Sequence, residues 1–156
     1  MNSIHTPRLV LLVIMAVLSS FALRYRTAVV IGDSMRPTFS NGDILLVDRL
    51  AYSYEMPERG DVVIAQAGQD VIVKRVVGKP NETVRVENGV LYVDGVPYPE
   101  PELALGDVTI EEGTLGKERY ALLGDNRTLP PSQLVHAVVP RREISGKVVL
   151  RIPLGG

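Results

Sequence analysis

The sequence predicts a mainly β domain behind one apolar N-terminal helix. Two features of the composition favour strands: valine occurs 23 times, and 14 glycines with 11 prolines supply many turns. A third feature predicts the helix, an uncharged apolar run from Leu9 to Leu23 with an arginine at either end. We therefore divide the 156 residues into an N-terminal tail and helix, 1–26, and a β-rich domain, 27–156.

The Leu9–Leu23 run is a candidate membrane anchor. As a helix its 15 residues would span about 22 Å, short of a hydrocarbon core of roughly 30 Å. Flanking arginines can snorkel outward and make up the difference, which favours a retained transmembrane anchor over a cleaved signal peptide. A buried core helix is the third interpretation, and the lack of amphipathic periodicity speaks against it. One arginine precedes the run and two follow, so charge does not fix the orientation.

The composition of the β-rich part excludes several classes of function. Residues 27–156 carry 14 basic and 18 acidic side chains, a net charge of −4, whereas a nucleic-acid-binding protein needs a basic face. The chain has no cysteine and only two histidines, which excludes disulfides, thiolate chemistry and histidine-rich metal sites. We expect no metal and no cofactor.

Short apolar runs between turn residues predict the strands. Asn88-Gly89 is the strongest turn signal, because both residues accept the positive φ of a two-residue hairpin, and Ala67-Gly68-Gln69 marks a second hairpin. Residues 97–116, rich in Pro, Glu and Gly, are interpreted as an excursion outside the core. The predicted strands are Ala28–Ile31, Ile44–Val47, Asp61–Ala65, Val71–Val77, Thr83–Val86, Val90–Val93, Arg119–Leu123 and Lys147–Ile152.

Three segments carry side chains suited to chemistry. Ser34 lies in a turn directly after an apolar strand, a place that suits a nucleophile, although most serines in turns only cap backbone groups. Lys74 alternates with the apolar residues Ile72 and Val76, and burial there would lower its pKa toward that of a general base. An edge-strand lysine that blocks unwanted pairing is the alternative.

The third segment, Leu122–Arg127, is an apolar strand that ends in a polar turn. Taken alone it is a loop in which Asp125 and Asn126 stabilise the backbone and Arg127 is solvated.

Together, in this order, the three segments resemble the type I signal peptidases, membrane-anchored serine proteases with a Ser–Lys dyad. The match consists of Gly-x-Ser-Met-x-Pro-Thr at Gly32–Thr38, Lys-Arg-Val-Val-Gly at Lys74–Gly78 and Gly-Asp-Asn-Arg at Gly124–Arg127. The runs at Gly42-Asp43, 59–63 and Val139-Pro140 also agree.

The resemblance implies a role for each matched residue. Ser34 would be the nucleophile, with its own N–H in the oxyanion hole, and Lys74 would be the general base. Met35 would shape the site, and Arg75 with Asp125 would form a supporting ion pair. Gly32 stands where some members carry a serine that donates to the oxyanion, so that donor is missing here. The substrate would pair as an added strand along the edge lined by Val29, Val30, Ile31 and Met35.

One segment departs from the family pattern. The Ser-x-Asp-Ser-Arg element expected after Gly-Asp-Asn-Arg is replaced by residues 128–134, with Gln133 at the position of the serine that orients the lysine. Ser132 lies one residue away and can take that role if the loop shifts. The sequence leaves both residues open as partners of Lys74.

The resemblance implies antiparallel β-sheets of the signal-peptidase type and a protein anchored once in the cell membrane. Its catalytic domain would stand on the extracytoplasmic face, and its partners would be preprotein signal peptides and the lipid bilayer. The expected activity is removal of signal peptides by cleavage after small residues. Two alternatives stay open: a Ser–Lys peptidase specialised for a conjugation or pilus component, and a membrane-tethered β module that binds peptides without cutting them.

Overall fold

The computed structural model describes residues 5–100, 106, 108–130 and 136–154, and of residues 5 and 6 the backbone alone. Among these residues one long helix is followed by eleven strands, so the mainly β fold class is confirmed. The elements are α1 (His5–Arg24), β1 (Tyr25–Val29), β2 (Ile44–Asp48), β3 (Val62–Ala67), β4 (Asp70–Gly78), β5 (Thr83–Glu87), β6 (Val90–Val93), β7 (Val96–Pro97), β8 (Ile110–Thr114), β9 (Arg119–Leu123), β10 (Ala137–Pro140), a 3-10 turn (Arg141–Glu143) and β11 (Ile144–Ile152).

Helix α1 is longer than the apolar run that predicted it. Its 20 residues span about 30 Å, the thickness of a bilayer core. The window Pro7–Arg24 has a mean hydropathy of 1.8, and none of it is buried against the rest of the protein. The core-helix interpretation of this segment is therefore wrong, because α1 exposes apolar side chains on every side.

The strands in the described part of the chain form two antiparallel sheets. The larger has the order β1-β2-β11-β3-β4-β9-β10, and the smaller has the order β7-β6-β5-β8. Both predicted hairpins are present, with Asn88 (φ 49°) and Gly89 (φ 78°) forming the turn between β5 and β6. Strand β1 begins at Tyr25, three residues before the predicted start, because it pairs with β2 from Tyr25↔Asp48 onward.

The interpretation of residues 97–116 as an excursion is wrong in part. Strand β8 pairs with β5, and the flanking residues Val108 and Leu115 are buried in one apolar cluster with Val84 and Leu123. The polar composition of β8 reflects its position as the outer strand of the small sheet, since most of its side chains are exposed.

Candidate active site

The turn that carries Ser34 is fixed from below by two apolar side chains. The β1–β2 ladder continues past β1, with the Val30 N–H donating to Asp43 O at 2.9 Å. The chain then turns, and the Phe39 N–H donates to Met35 O at 2.9 Å. Met35 and Phe39 are buried in one cluster beneath this turn. Ser34 is thereby presented above the cluster with its hydroxyl free to meet another side chain.

Lys74 meets that hydroxyl. The Lys74 Nζ lies 2.5 Å from Ser34 Oγ. Lys74 sits in β4 opposite Val63 of β3, and 3% of its surface is exposed. Burial lowers the Lys74 pKa to about 8, against a smaller opposing effect of the Asp125 charge. Lys74 is therefore not a lysine that protects an edge strand, because β4 is paired on both sides, with β3 and β9.

The turn after β9 closes over the backbone of Ser34. The Asn126 N–H donates to Ser34 O at 3.0 Å, and its side-chain amide donates to Asp33 O at 3.1 Å. Gly124 makes this approach possible, because a Cβ there would stand 2.5 Å from Ser34 O. Two turns distant in sequence are thus locked together at the candidate nucleophile.

Asp125 and Arg75 form the predicted ion pair beside the serine and lysine. Arg75 Nε and Nη2 donate to the two Asp125 oxygens at 2.9 and 2.6 Å, a paired geometry that fixes both groups. The Thr38 hydroxyl donates to Asp125 at 2.5 Å, and Arg75 also donates to Gly60 O. Asp125 is fully buried. The pair therefore ties the serine turn, β4 and the turn after β9 into one unit.

Arg127 is buried, so the expectation of a solvated side chain is wrong. Its guanidinium donates to Gly124 O, to Gly89 O and to both oxygens of Glu100, the latter at 2.9 and 2.8 Å. Arg127 thus braces the active-site turn against the β5–β6 hairpin. Sequence reasoning missed Glu100, since no local pattern indicates which distant acid reaches a buried arginine.

Replacement of Glu100 tests this brace. We expect Glu100→Gln to lower stability by about 3–5 kcal/mol, because it leaves the Arg127 charge buried without a counter-ion. The matched control is Glu87→Gln, which removes the half-exposed partner of Arg85 and should have little effect. Thermal unfolding in detergent compares the two; equal midpoints would contradict the role given to Glu100.

The four predicted substrate contacts divide into two kinds. Val29 and Ile31 have exposed side chains, whereas Val30 and Met35 are buried in the core beneath the strand. Within the described residues, β1 pairs only with β2, so its other edge is open. Because backbone groups alternate along a strand and Val30 bonds toward Asp43, Val29 and Ile31 turn their N–H and C=O groups to that open edge.

Two predicted partners of the lysine, Ser132 and Gln133, lie outside the described residues. In the part of the chain that is described, no group of three or more His, Asp or Glu side chains is arranged to hold a metal ion.

The fold and the site define a class: an antiparallel β-sheet protein on a membrane-length helix, with a serine hydroxyl against a buried lysine. Residues 3–152 match the family model described as "Signal peptidase, peptidase S26". The chain therefore belongs to the signal peptidase family, and its enzyme class is that of the serine endopeptidases.

Two sequence relatives agree with this assignment. The chain is 33% identical to signal peptidase I of Bacillus caldolyticus, over 93% of this chain and 87% of that protein. It is 30% identical to a probable signal peptidase I of Synechocystis sp., over 94% of this chain and 80% of the relative. A signal peptidase I from Enterococcus faecalis of known crystal structure aligns with a TM-score of 0.48 at 25% identity, over 61% of this chain and 98% of that one.

Proposed function

We propose that the protein is a membrane-anchored endopeptidase that removes signal peptides from preproteins, with Ser34 as nucleophile and Lys74 as general base. The observation that carries the proposal is the 2.5 Å contact between Lys74 Nζ and Ser34 Oγ in a member of this family. A serine alone is a weak nucleophile and needs an adjacent base. A module that only binds peptides needs no such pair, so the contact favours the enzyme over the binding module.

Acylation follows from the geometry. Neutral Lys74 accepts the Ser34 proton as Oγ attacks the carbonyl carbon of the scissile bond, and the carbonyl oxygen becomes an oxyanion. The Ser34 N–H donates a hydrogen bond to no acceptor among the described residues. It is therefore available as one donor to the oxyanion. The Lys74 ammonium then gives its proton to the leaving nitrogen, the C–N bond breaks, and an ester on Ser34 remains. The new N-terminus belongs to the mature protein.

Deacylation repeats the proton transfers with water. Lys74, neutral again, accepts a proton from water as the water oxygen attacks the ester carbon. Collapse of the second tetrahedral intermediate returns the proton to Ser34 Oγ and releases the signal peptide with a free carboxylate. Arg75 and Asp125 act as positioning residues, because they hold the strand and turn that bring the two reacting side chains together.

The open edge of β1 supports binding of an extended substrate. The outward N–H and C=O groups of Val29 and Ile31 suit an added antiparallel or parallel strand. Val30 and Met35, buried beneath, close the floor of that edge. We further propose the division into a tail and anchor, 1–26, and a catalytic domain, 27–156, with the catalytic domain on the extracytoplasmic face. The exposed apolar surface of α1 between Arg8 and Arg24 supports the anchor.

The pH dependence of cleavage follows from the Lys74 pKa. Only the neutral amine accepts a proton, so activity should rise with pH through a limb centred near a pKa of about 8. An unperturbed lysine, with a pKa near 10.4, would be less than about one per cent neutral at pH 8. Rates of acylation measured from pH 5 to 10 test this. A profile without such a limb, under conditions where chemistry limits the rate, would contradict Lys74 as the base.

Mutation of residues 128–134, the segment that departs from the family pattern, tests which side chain orients Lys74. We expect Ser132→Ala to lower turnover by at least about tenfold, or about 1.4 kcal/mol, and Gln133→Ala to be mild, because a small hydroxyl suits a desolvated lysine. The reverse pattern would assign the role to Gln133. Two mild effects would mean that neither residue orients Lys74.

Incubation with a preprotein tests the function itself. The detergent-solubilised full chain is mixed with a preprotein, and the N-terminus of the product is sequenced. We expect one cut after a small residue at the end of the signal peptide, and Ser34→Ala as control should give none. A panel that adds pilin-type precursors separates general from specialised processing. If the protein cuts none of these precursors, the proposed function is contradicted.

A further inference from the structure

The junction between helix α1 and the large sheet has no loop. Helix α1 ends at Arg24 and β1 begins at Tyr25. The rings of Phe21 and Tyr25 lie 4.7 Å apart across this junction, and the Arg24 guanidinium lies 5.4 Å from the Tyr25 ring centroid. The membrane-length helix therefore passes directly into the edge strand that leads to Ser34.

The end of β2 holds the last residue of the helix in two ways. Arg24 Nε and Nη2 donate to Asp48 Oδ2 at 2.9 and 2.6 Å, and the Arg49 N–H donates to Arg24 O at 2.9 Å. Asp48 is 4% exposed, and its other oxygen accepts the Leu50 N–H at 2.9 Å. The hydrogen bond from Arg24 lowers the pKa of Asp48, against the opposing effect of burial. The lowered pKa favours the charged form of Asp48, which is the form that pairs with Arg24.

This junction lies one strand away from the candidate nucleophile. The five residues of β1 span about 17 Å. Their open edge is where the proposed substrate pairs, and the ladder with β2 runs unbroken from Arg24 to Val30. A fixed junction therefore fixes both the distance and the direction from the end of the helix to Ser34.

We propose that the Arg24–Asp48 pair is a positioning device that sets the β domain on its membrane helix and thereby selects which bond of a membrane-inserted substrate reaches Ser34. The inference rests on the proposed function. Its physical basis is that substrate and enzyme each hold an apolar segment in the same bilayer, so the reachable bond depends on the height and tilt of the site. A short soluble peptide is not held in the bilayer, so its cleavage does not depend on the geometry of the junction.

Cleavage of two substrates tests the proposal. Asp48→Asn keeps the shape and the acceptor for Leu50 but removes the charge that holds Arg24. In proteoliposomes we expect this variant to cut a full preprotein at least about tenfold more slowly, or at additional bonds, while a short peptide spanning the cut site changes less than about twofold. Arg49→Gln is the matched control, because it removes a neighbouring exposed charge that has no ion pair among the described residues. It should leave both substrates unaffected.

A distance measurement tests the junction without any activity. The chain has no cysteine, so Leu11→Cys on the helix and Val96→Cys on the small sheet can be spin-labelled selectively. In nanodiscs we expect a narrow distribution of label distances in the parent and in Arg49→Gln, and a broad one in Asp48→Asn.

The outcomes separate this inference from the proposed function. Parallel loss on both substrates, or unchanged cleavage of both, would overturn the positioning role, as would identical narrow distance distributions. If the parent protein cuts neither substrate, the proposed function fails, and the distance distributions alone decide whether the pair fixes the junction.

Discussion

Ser34→Ala and Lys74→Ala should each reduce cleavage by at least about a thousandfold, because nucleophile and base act as one unit and removal of either ends the covalent route. Neither change should unfold the protein. Ser34 loses only a hydroxyl, and alanine at position 74 removes a buried amine whose desolvation opposes folding. Lys74→Arg should be equally inactive, since a guanidinium does not lose its proton near neutral pH.

Single-turnover cleavage of a preprotein measures these losses, with thermal unfolding as the control for folding. Lys79→Ala is the matched lysine variant, because Lys79 forms a surface pair with Glu58 and should be dispensable for activity. Substantial turnover by Ser34→Ala or Lys74→Ala would contradict the assignment of the two residues.

Asp125→Asn should have the second largest effect. The amide keeps the shape of the carboxylate but leaves Arg75, which is mostly buried, without its counter-ion, at a cost of about 3–5 kcal/mol in stability. The serine turn loses support at the same time, because the Thr38 hydroxyl donates to this carboxylate. We expect a lower unfolding temperature and a markedly lower rate.

The pH profile of the same variant gives an independent readout. The Asp125 charge raises the Lys74 pKa, so its removal should move the acid limb of the profile to lower pH. A merely destabilised enzyme would lose rate without this shift. Glu58→Gln, which removes a surface partner of Lys79, should change neither quantity. A limb that stays in place would contradict the electrostatic coupling between Asp125 and Lys74.

Local signals account for the elements that the sequence predicted correctly. The alternation of Ile72, Lys74 and Val76 placed the lysine on a buried face, and Asn88-Gly89 set the hairpin between β5 and β6. Strand β8 escaped prediction because its Ile-Glu-Glu-Gly-Thr sequence is held by pairing with β5 rather than by burial of its own side chains. The helix exceeded the apolar run because it also includes His5–Arg8 before the first apolar residue, Leu9, and Arg24 after the last, Leu23.

Only those residues of the candidate site that lie within the three sequence motifs could be predicted. The order of the three segments indicated Ser34, Lys74, Arg75 and Asp125, and the structure brings all four together. The braces on these residues depend on contacts between distant turns, such as Asn126 with the Ser34 carbonyl and Glu100 with Arg127. No spacing in a single sequence encodes such pairs, so they emerge only from the fold.

Chemical rescue of Lys74 tests the central claim most directly. Because the chain has no cysteine, Lys74→Cys introduces a single thiol that an aminoethylating reagent converts into a lysine analogue with its amine at nearly the same reach. The variant should be inactive before alkylation, and after it should cut a preprotein at the same bond as the parent. Combination with Ser34→Ala should abolish the rescue. An alkylated protein that stays inactive while folded, or an unalkylated variant that already cuts, would contradict the Ser34–Lys74 mechanism.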